Sequence, residues 1–158
     1  MTTVIQRIVN VELIFDRIQP PVINQPLILA VDDNEDNLML LTEVLEPMKC
    51  SFMTATDGQT ALKLAQKHQP DLILLDVMLP DVHGVEVVHR LRQNQQTMTI
   101  PVIAVTALAR LEDRDSLLEA GCNNYISKPY MLDELEAVIR YYLRLIPSLA
   151  ESESACCG

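Results

Sequence analysis

Five side chains in this sequence could do phosphorus chemistry together: the pair Asp32-Asp33, then Asp76, Thr106 and Lys128. The pair closes the apolar run Leu27-Ile28-Leu29-Ala30-Val31, and Asp76 closes Leu72-Ile73-Leu74-Leu75. Thr106 ends a run that begins at Ile100, and Lys128 follows Asn124-Tyr125-Ile126-Ser127. Three carboxylates crowded into a partly desolvated crevice repel one another, so they either take up protons or accept a cation. Oxygen-only donors favour Mg²⁺ or Mn²⁺, which keep waters and need few protein ligands. Beside such an ion, Asp76 can attack phosphorus as a nucleophile. Thr106 and Lys128 suit the phosphoryl oxygens, one as a hydroxyl donor and one as a point charge. Each residue alone has a plainer reading. A strand-terminal Asp is often a helix cap, and a single Thr or Lys is often structural or solvated. Their joint placement favours the chemistry.

That placement requires strands that all end on one side. Leu27–Val31 is apolar throughout, as expected for a central strand covered on both faces. Asn34 or Asp36 can cap a helix running to Glu46, before Pro47. A second strand spans about Ser51–Ala55, and Thr56-Asp57-Gly58 opens a helix to about His68 with Ala61, Leu62, Leu64 and Ala65 inward. Asp71–Asp76 is the third strand, and Pro80 and Gly84 bracket a loop before a helix from Val85 to Arg92. Ile100–Thr106 is the fourth strand, with Pro101 tolerable near its start. A helix from about Ala109 to Ala120 ends at Gly121, a natural C-cap. Asn124–Ser127 is a short fifth strand, and the last helix runs from Met131 to about Ile146.

Alternation of this kind predicts an α/β fold, a doubly wound five-stranded parallel sheet with helices on both faces. With the flavodoxin-like order 2-1-3-4-5, the crevice lies beyond the carboxyl ends of strands one and three, where the three carboxylates converge. Three segments follow: an extension over 1–26, the α/β domain over 27–146, and a polar tail over 147–158. In the extension, Val4, Ile8, Val11, Phe15 and Ile18 form a heptad-like stripe, and Pro20, Pro21 and Pro26 mark an extended linker. The stripe could pack on its own domain, trail, or pair two copies as a homodimer.

The net charge of −10 argues against nucleic acid, whose binding surfaces cluster Lys and Arg. No stretch approaches the roughly 20 apolar residues of a membrane span. Asn10, Glu12, Asp16 and Arg17 interrupt the N-terminal apolar residues, so no signal peptide is expected. Cys50, Cys122, Cys156 and Cys157 lack metal-ligand spacing and read as reduced thiols, in keeping with a soluble cytoplasmic protein.

Taken together, Asp32-Asp33, the stretch Asp76-Val77-Met78-Leu79-Pro80 with Gly84, Thr106-Ala107 and Lys128-Pro129 resemble a response-regulator receiver domain of the CheY-like superfamily. The resemblance covers about Leu27 to Ile146 and sits on four strands in the family's order. It implies phosphorylation of Asp76 by a histidine kinase or phosphotransfer protein of a two-component system. It further implies Mg²⁺ held by Asp33, Asp76 and the backbone carbonyl of Met78, with Asp32 acting mainly through water. Thr106, Ala107 and Lys128 would surround the phosphoryl group, Pro129 would follow a cis peptide, and Thr106 and Tyr125 would form the switch. Tyr125 also reads as simple packing on an edge strand. His83 reads as loop and His89 as helix surface. Output would reach a protein partner through helix 4, strand 5 and helix 5, where Arg110, Glu112, Asp113 and Arg114 give mixed charge.

Competing activities fit less well. A haloacid-dehalogenase-type phosphatase carries a second Asp two residues after its nucleophile, where this chain has Met78. A flavodoxin-like cofactor carrier would need a Ser/Thr/Gly-rich phosphate loop after the first strand. A scaffold independent of phosphorylation is usually marked by loss of the acceptor or the acidic pair, and both are present. Met78 and Leu108, apolar and two residues beyond Asp76 and Thr106, cannot orient an attacking water, so slow self-dephosphorylation is expected.

Overall fold

Each apolar run pairs in parallel with its neighbours, and the pairing brings all the strand ends to one edge. The structure, a computed structural model, describes residues 25–107 and 110–144. In chain order these form β1 (Leu27–Val31), α1 (Glu35–Leu45), a 3-10 turn (Glu46–Met48), β2 (Ser51–Ala55), α2 (Gly58–His68), β3 (Leu72–Leu75), α3 (Gly84–Gln93), β4 (Val102–Thr106), α4 (Leu111–Ala120), β5 (Asn124–Ser127) and α5 (Leu132–Leu143). The sheet order is β2-β1-β3-β4-β5, with every pair parallel. Val31 lies level with Ala55 and Leu75, Leu75 with Ala104, and Thr106 with Ser127. The residues following β1 and β3 therefore emerge side by side.

Period-two alternation divides the core between the two faces of the sheet. Leu29, Val31, Ile73, Leu75, Val102 and Ala104 pack with residues of α2, α3 and α4. Ile28, Ala30, Leu72, Leu74, Ile103 and Val105 pack with α1 and α5. Because β1, β3 and β4 are covered on both sides, they read as unbroken apolar runs.

Most boundaries match the sequence reading, and the differences have local causes. Asn34 is the α1 cap, its side chain accepting from the Asp36 and Asn37 amides at 2.8 and 3.4 Å. The helix tightens into the 3-10 turn one residue early, around Pro47, which cannot donate to the helical ladder. The fourth strand starts at Val102 instead of Ile100, since Pro101 has no amide and the Ile100 carbonyl accepts from Arg92. His83 is the cap of α3, its Nδ1 accepting from the Val85 amide at 3.3 Å. Gly121 closes α4 at φ +110°, a conformation that favours glycine. Leu108, Ala109, the 4–18 stripe, the end of the last helix at Ile146, and the tail with Cys156 and Cys157 lie outside the described residues. Cys50 and Cys122 are buried free thiols.

Arg92 staples α3 to the edge opposite the carboxylates. Its guanidinium donates to the carbonyls of Gly121 (2.9 Å), Met98 (3.1 Å) and Ile100 (2.8 Å) and to Asn123 Oδ1 (2.8 Å). Asn123 Oδ1 also accepts from the Val102 amide, so one side-chain pair fixes the entries to β4 and β5.

Candidate functional site

Caps elsewhere leave the three carboxylates at the strand ends available. Asn34, Asp57 and His83 serve as the helix caps after β1, β2 and β3, so none of Asp32, Asp33 and Asp76 has that duty. One oxygen from each of these three lies within 4.8 Å of the others. Asp32 and Asp76 are buried (2% and 8% exposed), while Asp33 faces solvent.

Asp32 is well supplied with donors. Its Oδ1 accepts from the Asn34 amide at 2.9 Å, and its Oδ2 accepts from Asn37 Nδ2 at 3.1 Å and Lys128 Nζ at 2.7 Å. Burial opposes its charged form, but Lys128 and these hydrogen bonds outweigh that and hold the carboxyl below its ordinary value. Asp76 has the Met78 amide at 3.1 Å and Lys128 at a longer 3.3 Å. Burial pushes its pKa up, the charge of Asp32 adds to that, and its donors do not compensate. Lys128 is held above its ordinary value because both carboxylates outweigh its own desolvation.

This donor set fits a divalent cation. All the groups are hard oxygens, and the Asp76 carboxylate is disfavoured by burial and by the charge of Asp32, a cost that an added positive charge relieves. The carbonyl of Met78, whose amide already binds Asp76, belongs to the same loop. Lys128 follows β5 and precedes a cis Pro129, and its amide donates to the Thr106 carbonyl at 2.9 Å. That bond sets the lysine beside the end of β4. Thr106 is fully buried, and Ala107 beyond it is exposed.

Two contributors, Asn37 and Asp81, were missed in the sequence, as was the contact made by Arg114. Asn37 orients Asp32, and its only signal was its place one turn into α1. Asp81 binds the first amides of α2, accepting from Gly58 at 2.8 Å and Gln59 at 2.9 Å, so it ties the loop after Asp76 to the next helix. The guanidinium of Arg114 lies over the Tyr125 ring, 4.0 Å from its centroid, within cation–π range. No long apolar helix capable of crossing a membrane occurs among the described residues.

Comparison with known proteins agrees with this geometry. Residues 28–140 match the family model described as the response regulator receiver domain. The chain is 40% identical over 116 residues to the polar-differentiation response regulator DivK of Brucella ovis, covering 73% of this chain and 94% of that protein. Among solved structures, the receiver domain of the sensor histidine kinase PA1611 from Pseudomonas aeruginosa, with a magnesium ion coordinated in its active-site cleft, superposes at a TM-score of 0.70. Identity there is 30%, over 75% of this chain and 97% of that one. The Vibrio cholerae chemotaxis protein CheY4 gives a TM-score of 0.71 at 27% identity, over 75% and 98%.

Proposed function

The chain belongs to the response regulator receiver family, and on that premise we propose that Asp76 is its phosphoryl acceptor. Receiver domains are phospho-accepting signalling proteins of two-component systems, so the chain acts as a switch and not as an enzyme that turns over a separate substrate. The observation that carries the assignment is the convergence of Asp32, Asp33 and Asp76 at the carboxyl ends of β1 and β3, with Lys128 paired to Asp32 and Asp76.

In this reading the donor is a histidine kinase or phosphotransfer protein. An Asp76 carboxylate oxygen bonds to phosphorus as the donor's P–N bond breaks, and the departing histidine nitrogen keeps the electron pair and gains a proton. Asp33, Asp76 and the Met78 carbonyl would hold Mg²⁺, with Asp32 acting through water; Mn²⁺ would serve the same oxygens. When bound, the ion supplies positive charge that offsets the phosphoryl oxygens. Lys128 transfers part of its attraction from Asp32 to the new phosphoryl group, and the Thr106 hydroxyl and the Ala107 segment close over it.

Output proceeds through α4, β5 and α5 to a protein target. The Arg114–Tyr125 stack supports this, because it ties the ring of β5 to the face of α4. Converting a mostly inactive population to a mostly active one requires phosphorylation to favour the active state by about 5 kcal/mol. A partner other than nucleic acid suits the −10 charge, and a cytoplasmic location suits the free thiols of Cys50 and Cys122.

The direct test is Mg²⁺-dependent labelling with acetyl phosphate, where a P–O bond breaks and acetate leaves. One phosphoryl group should be added to the native chain, none to Asp76→Asn, and none in the presence of chelator. A folded protein that no metal condition can label would instead be a scaffold retaining the pocket without its chemistry. The label should also persist, because Met78 beside Asp76 is apolar and 55% exposed and cannot orient water. Rapid loss that does not respond to a polar substitution at Met78 would contradict that expectation.

A further inference from the structure

The start of α2 is capped from two separate stretches of chain. A helix leaves its first amides without helical partners, and here those of Gly58, Gln59 and Thr60 need them. Asp57, the residue before the helix, accepts from the Thr60 amide at 2.7 Å and the Thr60 hydroxyl at 2.9 Å. Asp81, in the loop between β3 and α3, takes the other two. One of its oxygens accepts from Gly58 at 2.8 Å and the other from Gln59 at 2.9 Å.

That loop also carries the neighbours of the acceptor. The Met78 amide donates to Asp76 Oδ1 at 3.1 Å, and the Gly84 amide closes the base of the loop on the Val77 carbonyl at 2.8 Å. Leu79 and Val82 lean on the core between these points. Apolar packing has no direction, so it sets how deep the loop sits without fixing how its peptides turn. Two charge-assisted bonds to one planar carboxylate do fix a direction. The joint is also close: a Cβ on Gly58 would stand 3.0 Å from Val82 Cβ and 3.1 Å from Val87 Cγ2. Glycine at that position lets the loop approach the helix near enough for Asp81 to reach its amides.

We propose that Asp81 is a positioning residue for the acceptor site. By anchoring the loop to α2, it keeps the Met78 amide on the Asp76 carboxylate and the Met78 carbonyl placed for the cation. The part that concerns the cation rests on the acceptor reading of Asp76, whereas the placement of Met78 against Asp76 belongs to the chain alone. Coupling of this kind is reciprocal, so a cation bound at Met78 should also steady the bonds from Asp81 to α2.

The test compares the native chain with Asp81→Ala and Asp57→Ala. Each alanine removes two bonds to the start of α2 and one negative charge, so helix capping or charge alone predicts similar effects from both. In a calorimetric titration with Mg²⁺, Asp81→Ala should raise Kd by roughly tenfold, the lower end of the cost of losing a hydrogen-bond partner behind a metal ligand. Asp57→Ala should leave Kd unchanged. Amide exchange followed by NMR should quicken at Met78 in Asp81→Ala alone, and Mg²⁺ should slow exchange at Gly58 and Gln59 in the native chain. Asp81→Asn keeps the shape of the side chain and one accepting oxygen, so its Kd should fall between, and it decides the matter if the alanine variant does not fold. A native Kd in the Asp81 variants, or equal shifts in the two alanine variants, would overturn the proposal. A native chain that takes up no Mg²⁺ overturns the cation reading, while exchange at Met78 still decides the placement.

Discussion

Lys128 and Asp81 show how single side chains set the electrostatics of this domain. Lys128 lies 2.7 Å from Asp32 and 3.3 Å from Asp76, and the two carboxylates diverge because Asp32 has more donors. Asp81 is exposed, yet its carboxyl is held below the usual range by the amides of Gly58 and Gln59. A carboxyl whose folded pKa is depressed adds stability that is present above the unfolded value of about 3.9 and lost as pH falls through the folded one. Asp81→Asn should therefore be less stable than the native chain at neutral pH, with the gap narrowing below about pH 4. Urea denaturation of both proteins across that range checks this, and a gap independent of pH would count against it. Neither role could be read from one residue. Lys128 gained meaning from its companions at other strand ends, whereas the partners of Asp81 lie on a helix more than twenty positions earlier.

At the level of elements, local signals were enough for the strands and insufficient for the joints between them. Leu27–Val31, Ser51–Ala55 and Asn124–Ser127 form as expected because their short length, apolar content and flanking turn residues specify them locally. The staple was invisible for the opposite reason. Arg92 sits near the end of an amphipathic helix, where an arginine ordinarily reads as solvated, and its acceptors include a carbonyl 29 residues away. Likewise, nothing in the sequence showed that Arg114 would lie over Tyr125. Gly84, by contrast, was read as a loop bracket and as part of the motif after Asp76, and the structure gives it a tighter duty. Its amide donates to the Val77 carbonyl at 2.8 Å, and an added Cβ would stand 2.5 Å from the Val77 Cα. Gly84→Ala should force the start of α3 away from the loop after Asp76 and cost about 1–3 kcal/mol. Thermal unfolding measures that cost, and an unchanged midpoint would show that the loop relaxes freely.

For the molecule as a whole, the sheet converts separations of dozens of residues into one acidic cluster, and folding must supply the free energy that keeps it together. A ligand that binds only the assembled cluster stabilises the fold by mass action, by about 2.7 kcal/mol at a hundredfold excess over its Kd. Millimolar Mg²⁺ should therefore raise the unfolding temperature, chelator should reverse the rise, and Asp33→Ala should abolish most of it. A midpoint indifferent to Mg²⁺ would argue against the cation site. Before any cation arrives, three carboxylates and one ammonium leave the cluster with two uncompensated negative charges in their ordinary ionisation states, part of the chain's net −10. Lys128, engaged with both Asp32 and Asp76, has little attraction to spare for an incoming anion. Cation and anionic donor are thus expected to favour each other's binding, so that labelling lost to chelator should be restored by Mg²⁺ more readily than by added donor.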